Sequence, residues 1–195
     1  RGRGDRGAAG ALLEQSQRLG HLLGGAGRAE VRLRELVLAV VQGAGGLGHI
    51  GIQALAALCA TRIVVVDRNP DALALAKEIG ADETVVSDGT HIDAVKDLTN
   101  GQGADVVFDF VAEQGAENDA WAMTAPDGFQ YVIGYGGEFR APTLDFVAGE
   151  KSIIGNIVGT YNELAELMVL AQAGKVTLHT KQYPLDAALD ALHDL

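Results

Sequence analysis

The chain has a single cysteine, Cys59, in 195 residues. No internal disulfide can form, and a reducing, cytoplasmic setting is expected. Cys59 follows Leu58 on an apolar stretch, so a packed thiol is expected rather than a nucleophile. No uninterrupted apolar run reaches bilayer length. The basic N-terminus has no compact apolar core with a cleavage site, so neither membrane insertion nor secretion is expected. Positive charge is scarce beyond residue 34. The net charge is −11, and because residues 1–34 carry +4, the remainder carries −15. A surface that acidic repels nucleic acid, and no such partner is expected. Metal ligands are scarce too: His21, His49, His91, His179 and His193 are scattered, without ligand-like spacing. What is present is ordinary for a soluble globular protein, 48% apolar and 21% charged, with length enough for one well-buried domain.

Residues 1–34 differ from the rest. They hold seven of the ten arginines, no lysine, and many Gly and Ala. Three readings stay open: a basic arm, an extension without stable structure, or a coding sequence read out of frame. Arg3-Gly4-Asp5 is read as coincidence. The domain boundary is therefore placed at 34/35, with one folded unit over 35–195.

That unit is organised around Val37-Leu38-Ala39-Val40-Val41-Gln42-Gly43-Ala44-Gly45-Gly46-Leu47-Gly48. It reads as a buried strand, a glycine turn and a helix start. Gly43, Gly45 and Gly48 fit G-x-G-x-x-G: the first for the tight turn, the second for close approach of a pyrophosphate, the third for helix–sheet packing. The first helical amides lack internal partners and point at the ligand. Leu47, Ile50, Ala54 and Leu58 are expected to form the helix's inner stripe. A second apolar run, Ile63 to Val66, ends in Asp67, nineteen residues past Gly48, where a ribose-binding carboxylate belongs.

Strand and helix then alternate. Asn69 caps a helix with Pro70 at its first turn and Ala72, Leu75, Ala76 and Ile79 inside. Strands are expected at 83–86, 105–110, 131–133 and 152–154, and helices at 92–98, 113–123 and 162–173, with a turn at Pro126-Asp127-Gly128. This pattern predicts an α/β doubly wound parallel sheet of Rossmann type, strand order 3-2-1-4-5-6. The ligand is expected across the carboxyl ends of the strands, where the order reverses.

Val41 to Gly51, Ala76-Lys77-Glu78-Ile79-Gly80-Ala81-Asp82, Gly103 to Asp109, Ile154 to Gly159 and Ala173-Gly174-Lys175-Val176 resemble the coenzyme part of zinc-dependent alcohol dehydrogenases, in the medium-chain dehydrogenase/reductase superfamily. The resemblance covers about residues 36–195. It implies NAD-linked interconversion of an alcohol with an aldehyde or ketone. By the same resemblance Gly43, Gly45, Gly46, Leu47 and Gly48 hold the pyrophosphate, and Asp67 the adenosine ribose. Phe110 and Val111 flank the adenosine end. Ile133, Gly134 and Tyr135, with Asn156, Ile157 and Val158, approach the nicotinamide. It further implies dimerisation through the Tyr135–Val158 region; independently, a sixth strand at the sheet edge has an unpaired side on which a second copy is expected to pair.

The family's zinc ligands have no counterpart here: there is no His-Glu pair and no second cysteine, so no metal residue is assigned and catalytic residues stay unknown. The chain is expected to supply coenzyme binding, with zinc belonging to the complete enzyme. Arg68 stands ready to meet a 2′-phosphate, but Asp67 favours NAD. A nucleotide-sensing module without chemistry and a zinc-free quinone reductase relative are the alternatives. Asp105 and Asp109 share a strand face by period-two spacing, and Asp109, near the strand's carboxyl end, is read as structural or site-lining. His49 is expected on the helix surface.

Overall fold

The computed structural model describes residues 37–194; the expectations for residues 1–34, His21 and Arg3-Gly4-Asp5 included, lie outside the described residues. Six strands form one parallel sheet in the order β3-β2-β1-β4-β5-β6. They are β1 (Leu38–Gln42), β2 (Arg62–Asp67), β3 (Glu83–Val86), β4 (Ala104–Asp109), β5 (Thr124–Val132) and β6 (Ser152–Gly155). The helices are α1 (Gly48–Leu58), α2 (Pro70–Glu78), α3 (His91–Asp97), α4 (Ala116–Met123), α5 (Thr143–Gly149), α6 (Tyr161–Gln172) and α7 (Ala188–His193), with a 3₁₀ turn at Leu185–Ala187.

Strands β2, β1 and β4 at the middle of the sheet carry apolar runs because both faces are covered. Alternate residues feed two cores. Ala39, Val41, Ile63, Val65 and Phe108 pack with Ile52 and Leu55 of α1 and Leu73 and Ala76 of α2. Leu38, Val40, Val64, Val66 and Val107 pack on the other side with Val95 of α3 and Ala120 and Met123 of α4. Cys59 is half-buried beside the first core, and burial pushes its thiol up. Asn69 caps α2 through Asp71 N, with Pro70 as its first residue. Among the described residues no helix is long and apolar enough to cross a membrane.

Three local expectations are corrected. The buried face of α1 is Gly48, His49, Ile52, Gln53, Ala54 and Leu55, whereas Leu47 and Leu58 are exposed. Gly48 must face the sheet, and that sets the helix's rotation; a glycine carries no hydropathy signal to reveal it. His49 is likewise buried, not on the surface. The turn at Pro126-Asp127-Gly128 does not end a strand. Asp127 has φ +60 and the three residues bulge out of β5, whose register with β4 jumps from Ala104↔Thr124 to Val106↔Phe129. Within β4, Asp105 is exposed and accepts from Leu38 N at 2.8 Å, while Asp109 is fully buried.

His49 and Gln53, one turn apart, fasten the segment after α6 to α1. Gln53 Nε2 donates to Thr177 O at 2.9 Å and its Oε1 accepts from Thr177 N at 2.8 Å. The His179 N–H points at His49 Nε2 at 3.5 Å. Gln53→Leu leaves both Thr177 backbone groups without that partner. It is expected to cost about 2 kcal/mol in urea unfolding.

Candidate functional site

The carboxyl ends of β1, β2, β4 and β5 surround an open cleft of about 780 Å³. That is within the size range of small-molecule sites. Gly43, Gly45, Gly46, Leu47, Gly48, Asp67, Arg68, Phe110, Val111, Ile133, Gly134 and Tyr135 line it together. Asn156, Ile157 and Val158 lie after β6 and are not among its lining residues. Asn156 N donates to Val132 O at 2.9 Å, and Ile157 and Val158 are largely exposed.

Gly43 is held at φ +90 and its N–H donates to Val66 O at 2.8 Å. A side chain is disfavoured there on conformation alone. A Cβ on Gly48 would collide with the Gly43 carbonyl, so the helix starts pressed against the turn. Gly45 and Gly46 have nothing within 4 Å of where a Cβ would stand. Their open side faces the cleft. Among the described residues, no protein acceptor meets the amides of Gly46, Leu47 and Gly48, and the first turn of α1 holds no acidic side chain. Free amides, the positive end of a helix and room at a glycine together suit a phosphate group.

Asp67 closes the other side. Its Oδ2 accepts from Ala44 N at 2.7 Å and Oδ1 from Asn69 N at 2.8 Å. A carboxylate has about four lone-pair sites; two are used, which leaves capacity for a pair of hydroxyls. Arg68 Nη1 donates to Gln114 Oε1 at 3.4 Å across the cleft mouth.

Sequence reasoning missed several lining residues, among them Gln42, Ser87, Gln114 and Asp119. Asp119 Oδ2 lies 3.2 Å from Nε2 of the buried His91, a pairing across 28 residues. Asp109 sits behind the wall. Burial pushes its carboxyl up from the ordinary value, and the Glu117 charge adds to this against the opposing amides of Ala112 and Val111 and the Gln42 side chain. With the folded value above the unfolded one, folding favours the protonated acid. That stabilisation is complete below the unfolded value and is lost as pH rises through the folded one. Asp109→Asn escapes the loss, so its stability relative to wild type should grow as pH rises above the ordinary carboxylate range. Urea titrations over that rise in pH check it; a difference independent of pH would contradict it.

Among the described residues no group of three or more His, Cys, Asp or Glu side chains is placed to hold a metal ion. The described residues therefore do not fit a zinc site.

Comparison with known proteins agrees with this geometry. Residues 46–173 match the family model described as zinc-binding dehydrogenase. An NAD-dependent alcohol dehydrogenase of Sulfurisphaera tokodaii is 31% identical over 163 residues, covering 81% of this chain and 46% of the relative. An alcohol dehydrogenase of Rhizobium meliloti is 35% identical over 153 residues, covering 77% and 43%. The crystal structure of the alcohol dehydrogenase from Aeropyrum pernix superposes with a TM-score of 0.78 at 35% identity, over 80% of this chain and 46% of that one. The chain thus spans just under half the length of these relatives.

Proposed function

This chain belongs to the zinc-binding dehydrogenase family, and we propose that it is the NAD-binding portion of an alcohol dehydrogenase-like oxidoreductase. The observation that carries the reading is the glycine turn: free amides at the start of α1, an open face at Gly45 and Gly46, and one carboxylate, Asp67, at the far side. Bound NAD would supply the hydride acceptor. The chain's own residues bind and orient it. Gly43 to Gly48 hold the diphosphate through backbone amides. Asp67 accepts from the adenosine ribose hydroxyls, and Phe110 and Val111 flank the adenosine end. Ile133, Gly134 and Tyr135 lie toward the nicotinamide, with Asn156, Ile157 and Val158 beyond them. The substrate class is a small alcohol with its aldehyde or ketone, as the relatives' names suggest.

We further propose a cytoplasmic setting, supported by the lone thiol at Cys59. A homo-oligomer is proposed through β6, which ends the sheet with one side paired to β5.

The test is isothermal titration of the 195-residue chain with NAD and with NADP. One NAD per chain is expected, with NADP at least tenfold weaker. No heat with either dinucleotide, on a sample proven folded by circular dichroism, overturns the reading.

A further inference from the structure

We propose that Asp109 is the positioning residue of the cleft, fixing the Val111–Ala112 backbone that separates the glycine turn from Gly134 and so setting the width a dinucleotide meets. The proposal rests on the NAD reading above and goes beyond it, because Asp109 does not line the cleft.

Asp109 ends β4 and is fully buried. Its Oδ1 accepts three hydrogen bonds: from Gln42 Nε2 at 3.2 Å, Val111 N at 3.0 Å and Ala112 N at 2.9 Å. Gln42 Nε2 also donates to Ala116 O at 2.7 Å, in the first turn of α4. One oxygen therefore joins the residue before Gly43 to the turn after β4, and Gln42 carries the tie on to the start of α4. The turn needs holding. Ala112 has φ +46, a conformation side chains rarely adopt. Its amide is tied to Asp109 and its carbonyl accepts from Gly137 N at 2.9 Å.

Val111 is the residue this arrangement places. A Cβ on Gly43 would lie 2.7 Å from Val111 Cγ2, and a Cβ on Gly134 would run into the Val111 carbonyl. Val111 thus touches the glycines of both walls, and displacing its backbone displaces a wall.

The polarity of the buried group follows from its surroundings. Asp109 Oδ2, Gln42 Oε1, Glu117 Oε2 and Gln130 Oε1 are all buried without a hydrogen-bond partner among the described residues. These four are acceptors, and the one buried donor without a partner among the described residues is the indole N–H of Trp121. A protonated Asp109 keeps its acceptor at Oδ1 and presents an O–H at the partnerless oxygen. Burial favours that neutral form. Asparagine has nearly the same shape and the same division of acceptor and donor. Leucine has similar bulk and neither.

The experiment compares wild type, Asp109→Asn and Asp109→Leu in the full chain. NAD is titrated calorimetrically, and amide exchange is followed by NMR without ligand. Asp109→Asn is expected to bind NAD within threefold of wild type and to keep Val111 and Ala112 protected. Asp109→Leu is expected to bind at least tenfold more weakly. Its Val111 and Ala112 amides should exchange at least tenfold faster while those of β2 stay as slow as in wild type. Unchanged affinity in Asp109→Leu with β2 protected overturns the proposal, and so does Asp109→Asn failing as badly as Asp109→Leu. Should Asp109→Leu not fold, wild type decides: unprotected Val111 and Ala112 amides in the free chain overturn it. Wild type that binds no NAD sinks the dinucleotide reading, while the exchange pattern still tests what Asp109 holds.

Discussion

Gly48→Ala is expected to destabilise the domain by about 3 kcal/mol and to abolish NAD binding, whereas Gly45→Ala should fold normally and lose affinity by about a hundredfold. The two glycines stand three residues apart in one turn, yet they meet different surroundings. At Gly48 the added methyl collides with the Gly43 carbonyl, a backbone atom that cannot swing away. Either α1 lifts from the sheet or the turn opens, and Ile52 and Leu55 leave the core with the helix. Overpacking of well-filled sites costs typically about 1–3 kcal/mol, and a backbone obstacle puts this case at the upper end. At Gly45 nothing lies within 4 Å and the backbone has no left-handed φ, so alanine is accommodated. The methyl then stands where a phosphate oxygen must approach. Losing one or two charge-assisted hydrogen bonds, about 1.5–3 kcal/mol each, gives the hundredfold. Urea unfolding and calorimetry separate the cases. A Gly45→Ala chain that binds NAD like wild type would show that no diphosphate lies against this turn.

The contrast marks what a linear sequence reveals here. G-x-G-x-x-G and the distant Asp67 are legible because backbone geometry demands glycine at fixed spacing and because β2 ends where β1 ends in a parallel pair, with Gln42 opposite Val66. The strand order is legible for a related reason: right-handed crossovers leave few ways to lay alternating strands and helices. The face of α1 was not legible. Hydropathy put Leu47 and Leu58 inside, but the helix opens at a cleft mouth and is pinned at Gly48. The polar groups beneath the cleft were hidden in a different way. Gln42 meets Asp109 across 67 residues and Gln130 meets Glu117 across 13. Nothing local in a buried glutamine distinguishes it from one facing water. The same holds for Gln53 and Thr177, joined across 124 residues.

Asp67→Ser is expected to reverse the preference between the two dinucleotides. In wild type the carboxylate is held in place from two directions, by Ala44 N and Asn69 N. It cannot retreat from a 2′-phosphate without abandoning both. Two unit charges about 4 Å apart repel by roughly 4 kcal/mol at an effective dielectric near 20, which corresponds to a preference in the hundreds. Serine removes the charge and keeps a hydroxyl for the ribose. NADP affinity should rise by about a hundredfold, while NAD affinity falls about tenfold with the lost charge-assisted bonds. Stability should fall by about 1–3 kcal/mol, since two amides lose their acceptor. Arg68 enters next. It is exposed, beside Asp67, and among the described residues its guanidinium donates to the Gln114 side chain. With the neighbouring carboxylate gone it becomes the nearest cation to a 2′-phosphate on this wall. The double variant Asp67→Ser with Arg68→Ala should therefore lose most of the NADP gained by the single one. If Asp67→Ser leaves the ratio of NADP to NAD affinity unchanged, the adenosine ribose does not sit against the end of β2.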